Sequence, residues 1–110
     1  MTRIELIRLL GDLITEVDVA RGSLRPDEPN RHVLNRLRSE LDRQQLELSR
    51  NEFDAGTAEF RDATARLREI NGEIRATIGN VERLVETIRN LQRFVAVVDQ
   101  LIQTIHPLVG

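Results

Sequence analysis

The sequence predicts an all-α fold, an antiparallel helical bundle with coiled-coil-like heptad packing, in which a short first helix is followed by two or three longer helices. Three observations predict this fold. Hydrophobic residues make up 40% and charged residues 31% of the 110 residues, a composition typical of a soluble chain of amphipathic helices. Apolar residues recur at helical spacing along most of the chain. Only residues 22–30 are rich in turn-forming residues. We expect a single helical domain over residues 1–110.

The first helix is predicted over residues 2–20. Thr2 and Glu5 have the spacing of a capping box, in which each side chain satisfies a free amide at the helix start. The apolar residues that follow have the three-to-four spacing of one helix face: Leu6, Leu10, Leu13, Val17 and Ala20. Gly22 is typical of the position just past a helix end. Residues 21–30, which hold two of the three prolines, are therefore predicted as a loop.

A second helix is predicted over about residues 31–54, with Asn30 as its N-cap. Its apolar residues are Val33, Leu34, Leu37, Leu41 and Leu48, separated by many Arg, Glu and Asp residues. The apolar register then changes between residues 44 and 57, where Gly56 is followed by Thr57, a residue suited to cap a new helix. We therefore expect a bend or turn there.

The most regular pattern begins at Leu46, from which every seventh residue is apolar. The nine positions are Leu46, Phe53, Phe60, Leu67, Ile74, Val81, Ile88, Val95 and Ile102. If they are heptad position a, position d is also apolar from Ile70 onward, except at Thr77. This is the pattern of helices packed side by side with knobs in holes.

One or more helices are therefore predicted over about residues 57–105. Gly72 and Gly79 both fall on the outermost heptad position, and the heptad register continues across them. We expect helix to continue through Gly72, whereas the sequence leaves open whether it breaks at Gly79. A single helix over residues 46–105 would be about 90 Å long, so the chain either folds back or pairs with another subunit.

The apolar stripe is too wide for a two-stranded coiled coil, because apolar residues also occupy flanking positions that are usually charged. We expect a homo-oligomer, most simply a two-fold dimer, with another helical protein as the alternative partner. The residues expected to form this oligomer or partner interface are Leu67, Ile70, Ile74, Val81, Leu84, Ile88, Leu91, Val95, Val98 and Ile102.

No residue pattern indicates a catalytic, cofactor or metal site. His32 and His106 both lack the Glu three residues before them that a di-iron bundle site uses. No serine lies in a glycine-rich turn beside a base, and the six glycines form no phosphate-binding loop. With no cysteine, thiolate chemistry is excluded. We expect no enzyme activity, no cofactor and no metal.

The charge pattern favours neither nucleic acid nor membrane as a partner. All sixteen basic residues are Arg, typical of a GC-rich bacterial genome, and the net charge is −2. The basic stretch Arg31–Arg43 also contains acidic residues and has no aromatic residue to stack on a base. No uncharged apolar run has membrane-spanning length, and Glu5 and Asp12 interrupt what would be the apolar part of a signal peptide. We expect a cytoplasmic protein.

The function that the sequence favours is a non-enzymatic helical module for protein–protein interaction or assembly, a scaffold that self-associates through the heptad stripe. The alternative is a secreted or membrane-acting helical protein whose apolar C-terminal segment, Phe94 to Gly110, inserts into lipid. A small helical enzyme or metal protein is a third hypothesis. No motif is specific enough to indicate a family.

Overall fold

The computed structural model describes residues 1–51, 53 and 55–104. These residues form four α-helices, with no β-strand among them, which confirms the all-α prediction. The helices are α1 (Arg3–Gly22), α2 (Pro29–Arg50), α3 (Ala58–Thr77) and α4 (Leu84–Thr104), and a 3-10 turn (Val81–Arg83) leads into α4. Ile105 and His106, which belong to the predicted apolar C-terminal segment, lie outside the described residues.

Polar side chains cap the starts of the helices. The hydroxyls of Thr2 and Thr57 each accept a hydrogen bond from the amide three residues ahead, at 3.1 and 3.2 Å, which confirms these two residues as caps. The Glu5 side chain accepts from the Thr2 hydroxyl at 3.3 Å and not from an amide, as the capping box predicted. The predicted cap of α2 is wrong, because Glu28 rather than Asn30 takes that position. Pro29 then occupies the first position of the helix, which suits a residue that has no amide proton to leave unbonded.

Two turns divide the second half of the chain. The expected turn between residues 44 and 57 is present, and α2 ends at Arg50, earlier than predicted. Helix continues through Gly72, as predicted, and ends at Thr77, so that Gly79 lies in the turn before α4. Because this break halves the segment over 57–105, the four helices have 20, 22, 20 and 21 residues. The first helix is therefore as long as the others.

The four helices form two antiparallel hairpins that pack on each other. α1 packs against α2, α3 packs against α4, and α2 packs against α4. Ion pairs between α1 and α3 complete the ring: Glu5 lies 3.9 Å from Arg68, and Glu16 lies 2.9 Å from Arg75. From the first ion pair to the second, the residue number increases in both helices, so α1 and α3 are parallel. The order around the bundle is α1, α2, α4, α3.

The connection between α2 and α3 joins helices that do not pack closely on each other. Phe53 lies in this connection and is buried, with its ring centroid 5.3 Å from that of Phe60 in the first turn of α3. An apolar side chain thus anchors the crossing. The Cα atoms span 47 × 22 × 18 Å with a radius of gyration of 14.3 Å, close to the ~13 Å of a compact chain of this length.

Candidate functional site

The residues predicted to form an interface lie mostly in the core of the chain itself. All but two are buried between helices of the same chain: Leu67, Ile70, Ile74, Leu84, Ile88, Leu91, Val95 and Val98. Ile102 is partly buried, and Val81 is 63% exposed. Most of the apolar stripe is buried within one chain because α3 and α4 fold back on each other. A partner of the folded chain would therefore contact Val81 but not the buried members of the stripe.

Three exposed valines mark a candidate interaction surface at one end of the bundle. Val19 of α1, Val81 of the 3-10 turn and Val85 of α4 are 71%, 63% and 62% exposed. Val19 and Val81 line a groove with a volume of about 370 Å³ between the end of α1 and the turn after α3. Its other apolar lining residues are Ala20, Leu24, Ile78 and Leu84. Val85 follows the lining residue Leu84 at the start of α4. We call the groove and these three valines the valine surface.

The polar residues that line the groove are mostly bonded within the chain. The Asn80 side chain accepts a hydrogen bond of 3.0 Å from the Glu82 amide, and the Ser23 hydroxyl donates to the Ala20 carbonyl. One Glu16 carboxylate oxygen pairs with Arg75. Its other oxygen is buried without a hydrogen-bond partner among the described residues. The valine surface is thus largely apolar, and most of its polar groups are used in caps, turns and ion pairs within the chain.

Two charges beside the valine surface have no ion-pair partner in the part of the chain that the structure describes. Glu82, in the 3-10 turn, and Arg89, in α4, are both exposed. The neighbouring Arg83 and Glu86 pair with each other at 2.8 Å. The exposed residues around the start of α4 thus include Val85, one ion pair, and two charges that have no ion-pair partner among the described residues.

A polar cluster joins α2 to α4 away from this surface. Gln44 is fully buried, and its Nε2 donates to the Val95 carbonyl at 2.8 Å and to Asp99 at 3.1 Å. Arg43 donates to the same carboxylate at 2.8 Å. Burial alone would raise the pKa of Asp99, but the hydrogen bonds from Arg43 and Gln44 and the charge of Arg43 together hold it below its usual value. The cluster fixes how the two helices align.

Sequence reasoning missed Gln44 and Val19. Gln44 is not among the apolar residues predicted for α2, although its spacing from Leu41 and Leu48 places it on the same face of the helix. Val19 lies outside the three-to-four spacing of α1, and its importance depends on the turn after α3 that packs beside it.

Most of the basic stretch in α2 is bonded within the chain. Arg31 donates to the Leu24 carbonyl at 2.9 Å, Arg38 pairs with Asp18 at 3.1 Å, and Arg43 pairs with Asp99. These arginines tie α2 to the preceding connection, to α1 and to α4, and the charges of Arg38 and Arg43 are paired with carboxylates.

Within residues 1–51, 53 and 55–104, no group of three or more His, Asp or Glu side chains is arranged to hold a metal ion. His32 is exposed in the first turn of α2. Over the same residues, no helix has both the length and the apolar character needed to cross a membrane.

Comparison with models of known families, with curated proteins and with solved structures finds no match to this chain.

Proposed function

We propose that this protein is a non-enzymatic helical module that self-associates, with a homodimer as its simplest state. The observation that carries the proposal is the valine surface. Folding buries most of the predicted interface residues, whereas Val19 and Val81, which line one apolar groove, and the nearby Val85 are largely exposed. Such clusters of exposed apolar side chains mark sites of protein–protein interaction.

The proposal modifies the expected mechanism of self-association. Val81 belongs to the predicted interface, and its exposure leaves it free to contact a partner, whereas Leu91 and Val98 are fully buried and would require the bundle to open. We therefore assign the association to the valine surface. A cytoplasmic location and a scaffold role remain part of this proposal.

Lipid insertion is less well supported. It would use the apolar side chains of α4, but Phe94, Val98 and Leu101 are buried against the other helices. Exposing them to lipid would remove them from the core, at a cost of about 1.5–3 kcal/mol for each side chain. The polar residues of α4 after Phe94 are Asp, Gln and Thr, and not the strongly basic face typical of interfacial helices.

Size-exclusion chromatography with light scattering over a wide range of protein concentration tests the proposal. Refractive-index detection is needed because the chain has no Trp, Tyr or Cys. We expect a particle with twice the mass of the 12.6 kDa chain, and a monomer when Val81 is replaced by Asp. Leu46→Asp is the matched control, since Leu46 is an exposed apolar residue outside the groove.

A monomer at every concentration would contradict the proposal. Co-sedimentation with neutral and anionic vesicles tests the alternative, because the assembly proposal predicts that the chain stays in the supernatant with both.

A further inference from the structure

We propose that the turn between α3 and α4 opens into helix and that two chains exchange their α4 helices. Residues 58–104 of each chain then form one helix of about 70 Å, which pairs antiparallel with the same helix of a second copy. Such exchange goes beyond the proposed function, in which closed bundles meet at the valine surface. Two observations carry it: the backbone of the turn is close to helical, and the register of α3 on α4 continues across the turn.

The turn departs from helical backbone mainly at one residue. Ile78 and Leu84, at its two ends, have right-handed helical backbone angles, and Val81–Arg83 already form a 3-10 turn. The Asn80 backbone is extended, with φ −112° and ψ 109°. Its amide still donates to the Thr77 carbonyl at 2.9 Å, a spacing one residue shorter than in an α-helix. Helix therefore runs from α3 into α4 once Asn80 changes from extended to helical.

The contacts between α3 and α4 have the register of a longer antiparallel pair. The Thr77 and Thr87 hydroxyls lie 2.6 Å apart, and Glu73 pairs with Arg93 at 2.7 Å. These two pairs are centred on residues 82 and 83, respectively, so the centre of the pairing lies in the turn itself. Two straight antiparallel helices with the same centre reproduce the contacts of the hairpin between two chains, without a change of register.

Exchange also buries the stripe residue that the hairpin leaves exposed. In the hairpin, Val81 lies in the turn and is 63% exposed. In the exchanged pair, Val81 is level with Leu84 of the second copy, just as Ile74 is level with Leu91. This contact forms twice about the two-fold axis. The uninterrupted apolar register across the turn thus has a use in the exchanged dimer that it lacks in the hairpin.

Exchange keeps most of the interactions of the closed bundle. The contacts of α4 with α2 and α3, such as the hydrogen bond from Gln44 to the Val95 carbonyl, form instead with α4 of the second copy. A single chain closes on itself at any concentration, whereas exchange needs a second chain. Because α4 must also leave the bundle before it is exchanged, we expect the exchanged dimer when the chain refolds at high protein concentration.

Cysteines in place of Thr77 and Thr87 report which chain contributes α4. The chain has no cysteine of its own, and the 2.6 Å between the two hydroxyls brings the side chains within reach of a disulfide. The double variant T77C/T87C is refolded from urea at low and at high protein concentration and then oxidised. A closed bundle forms the disulfide within one chain, whereas an exchanged dimer forms it between two chains. On a non-reducing gel we expect a band at twice the 12.6 kDa of the chain, and its share should rise with the refolding concentration.

The single variants Thr77→Cys and Thr87→Cys are the matched controls. In the exchanged dimer, the two copies of either position lie about 15 Å apart along the helices, too far for a disulfide. Each variant alone is therefore expected to give no covalent dimer. Refolded together at high concentration, they are expected to give one, because position 77 of one chain then lies beside position 87 of the other.

Variants of the turn, made in the T77C/T87C chain, are expected to shift the exchange in opposite directions. Gly79→Ala favours helix, and a Cβ there would meet nothing within 4 Å in the closed turn, so we expect the exchanged dimer to be favoured by about tenfold. Val81→Pro suits the closed turn, because Asn80 before it is extended. It breaks a continuous helix and is expected to disfavour the exchanged dimer by at least about a hundredfold. Val81→Ala is the matched control, since it removes the same side chain but permits the helix, and we expect a smaller loss.

The outcomes separate this inference from the proposed function. A disulfide that stays within one chain at every refolding concentration overturns the exchange, and so does a Val81→Pro variant that forms the covalent dimer as readily as Val81→Ala. If the wild type is a dimer in either case, the association of closed bundles still stands. A wild-type chain that is monomeric at every concentration, before and after refolding, overturns both.

Discussion

The hydroxyls of Thr77 and Thr87 lie 2.6 Å apart in the interior of the bundle. They join the last turn of α3 to the first turn of α4, across the turn that separates these helices. Each hydroxyl is also within hydrogen-bond distance of a backbone carbonyl of its own chain segment, Thr77 at Ile74 and Thr87 at Arg83. One hydroxyl can therefore donate to the other and the second to the backbone, so both protons are used.

This pair predicts non-additive effects on stability. Thr77→Val or Thr87→Val alone leaves one buried hydroxyl without its partner and is expected to lower the free energy of unfolding by about 1 kcal/mol. The double variant removes both polar groups and is expected to cost less than the sum of the two. Urea unfolding followed by far-ultraviolet circular dichroism measures this, and strictly additive costs would contradict the coupling.

Replacing Gly72 by alanine is expected to stabilise the protein. Gly72 lies inside α3, and a Cβ at this position would meet nothing within 4 Å. Alanine therefore gains helix propensity without a clash, and the free energy of unfolding should rise by about 0.5–1 kcal/mol.

The neighbouring Ala76 provides the reverse control. It lies on the same helix, so Ala76→Gly should lower the free energy of unfolding by a similar amount. A Gly72→Ala variant that is less stable than the wild type would show that the outer face of α3 is covered by a contact absent from the single chain.

The sequence predicted the helices and most of the core because both follow from local spacing. Phe60, Leu67 and Ile74 are buried where the heptad pattern placed them. Val81 has the same spacing but is exposed, because helix α3 ends at Thr77 and Val81 lies in the 3-10 turn before α4. The heptad register runs through this break without a change, so spacing alone could not show it.

The candidate site was less predictable, because it depends on which helices become neighbours. The groove forms where Val19 and Leu24 meet Ile78 and Val81, residues from opposite halves of the chain. The sequence of α1 by itself does not show that this helix lies parallel to α3. Gln44 was unpredictable for a related reason, since its burial depends on the Val95 carbonyl of another helix.

The core and surface members of the predicted interface are expected to respond differently to truncation. Leu91 is fully buried and Val81 is 63% exposed. Leu91→Ala should lower the free energy of unfolding by about 2–5 kcal/mol, because it removes buried methyl groups and leaves a cavity. Val81→Ala should change it by no more than about 0.5 kcal/mol at concentrations where the chain is monomeric.

Thermal unfolding at low protein concentration measures both effects. Equal losses for the two variants would mean that Val81 is covered in the single chain or that Leu91 is not in its core.

The Asp99 cluster predicts a loss of stability in acid. Hydrogen bonds from Arg43 and Gln44 outweigh the effect of burial and lower the pKa of Asp99 in the folded state. A lowered folded-state pKa means that the unfolded chain binds the proton more readily. The stabilisation is therefore fully present above the unfolded-state pKa of about 3.9, and it is lost as the pH falls through the folded-state value.

Asp99→Asn should lower the free energy of unfolding at pH 7 and differ less from the wild type near pH 2. Asp62→Asn is the control, because Asp62 is exposed and has no ion-pair partner among the described residues. Urea unfolding of the three proteins between pH 2 and 7 measures the difference, and a gap between Asp99→Asn and the wild type that stays constant with pH would show that the carboxylate charge does not stabilise the junction of α2 and α4.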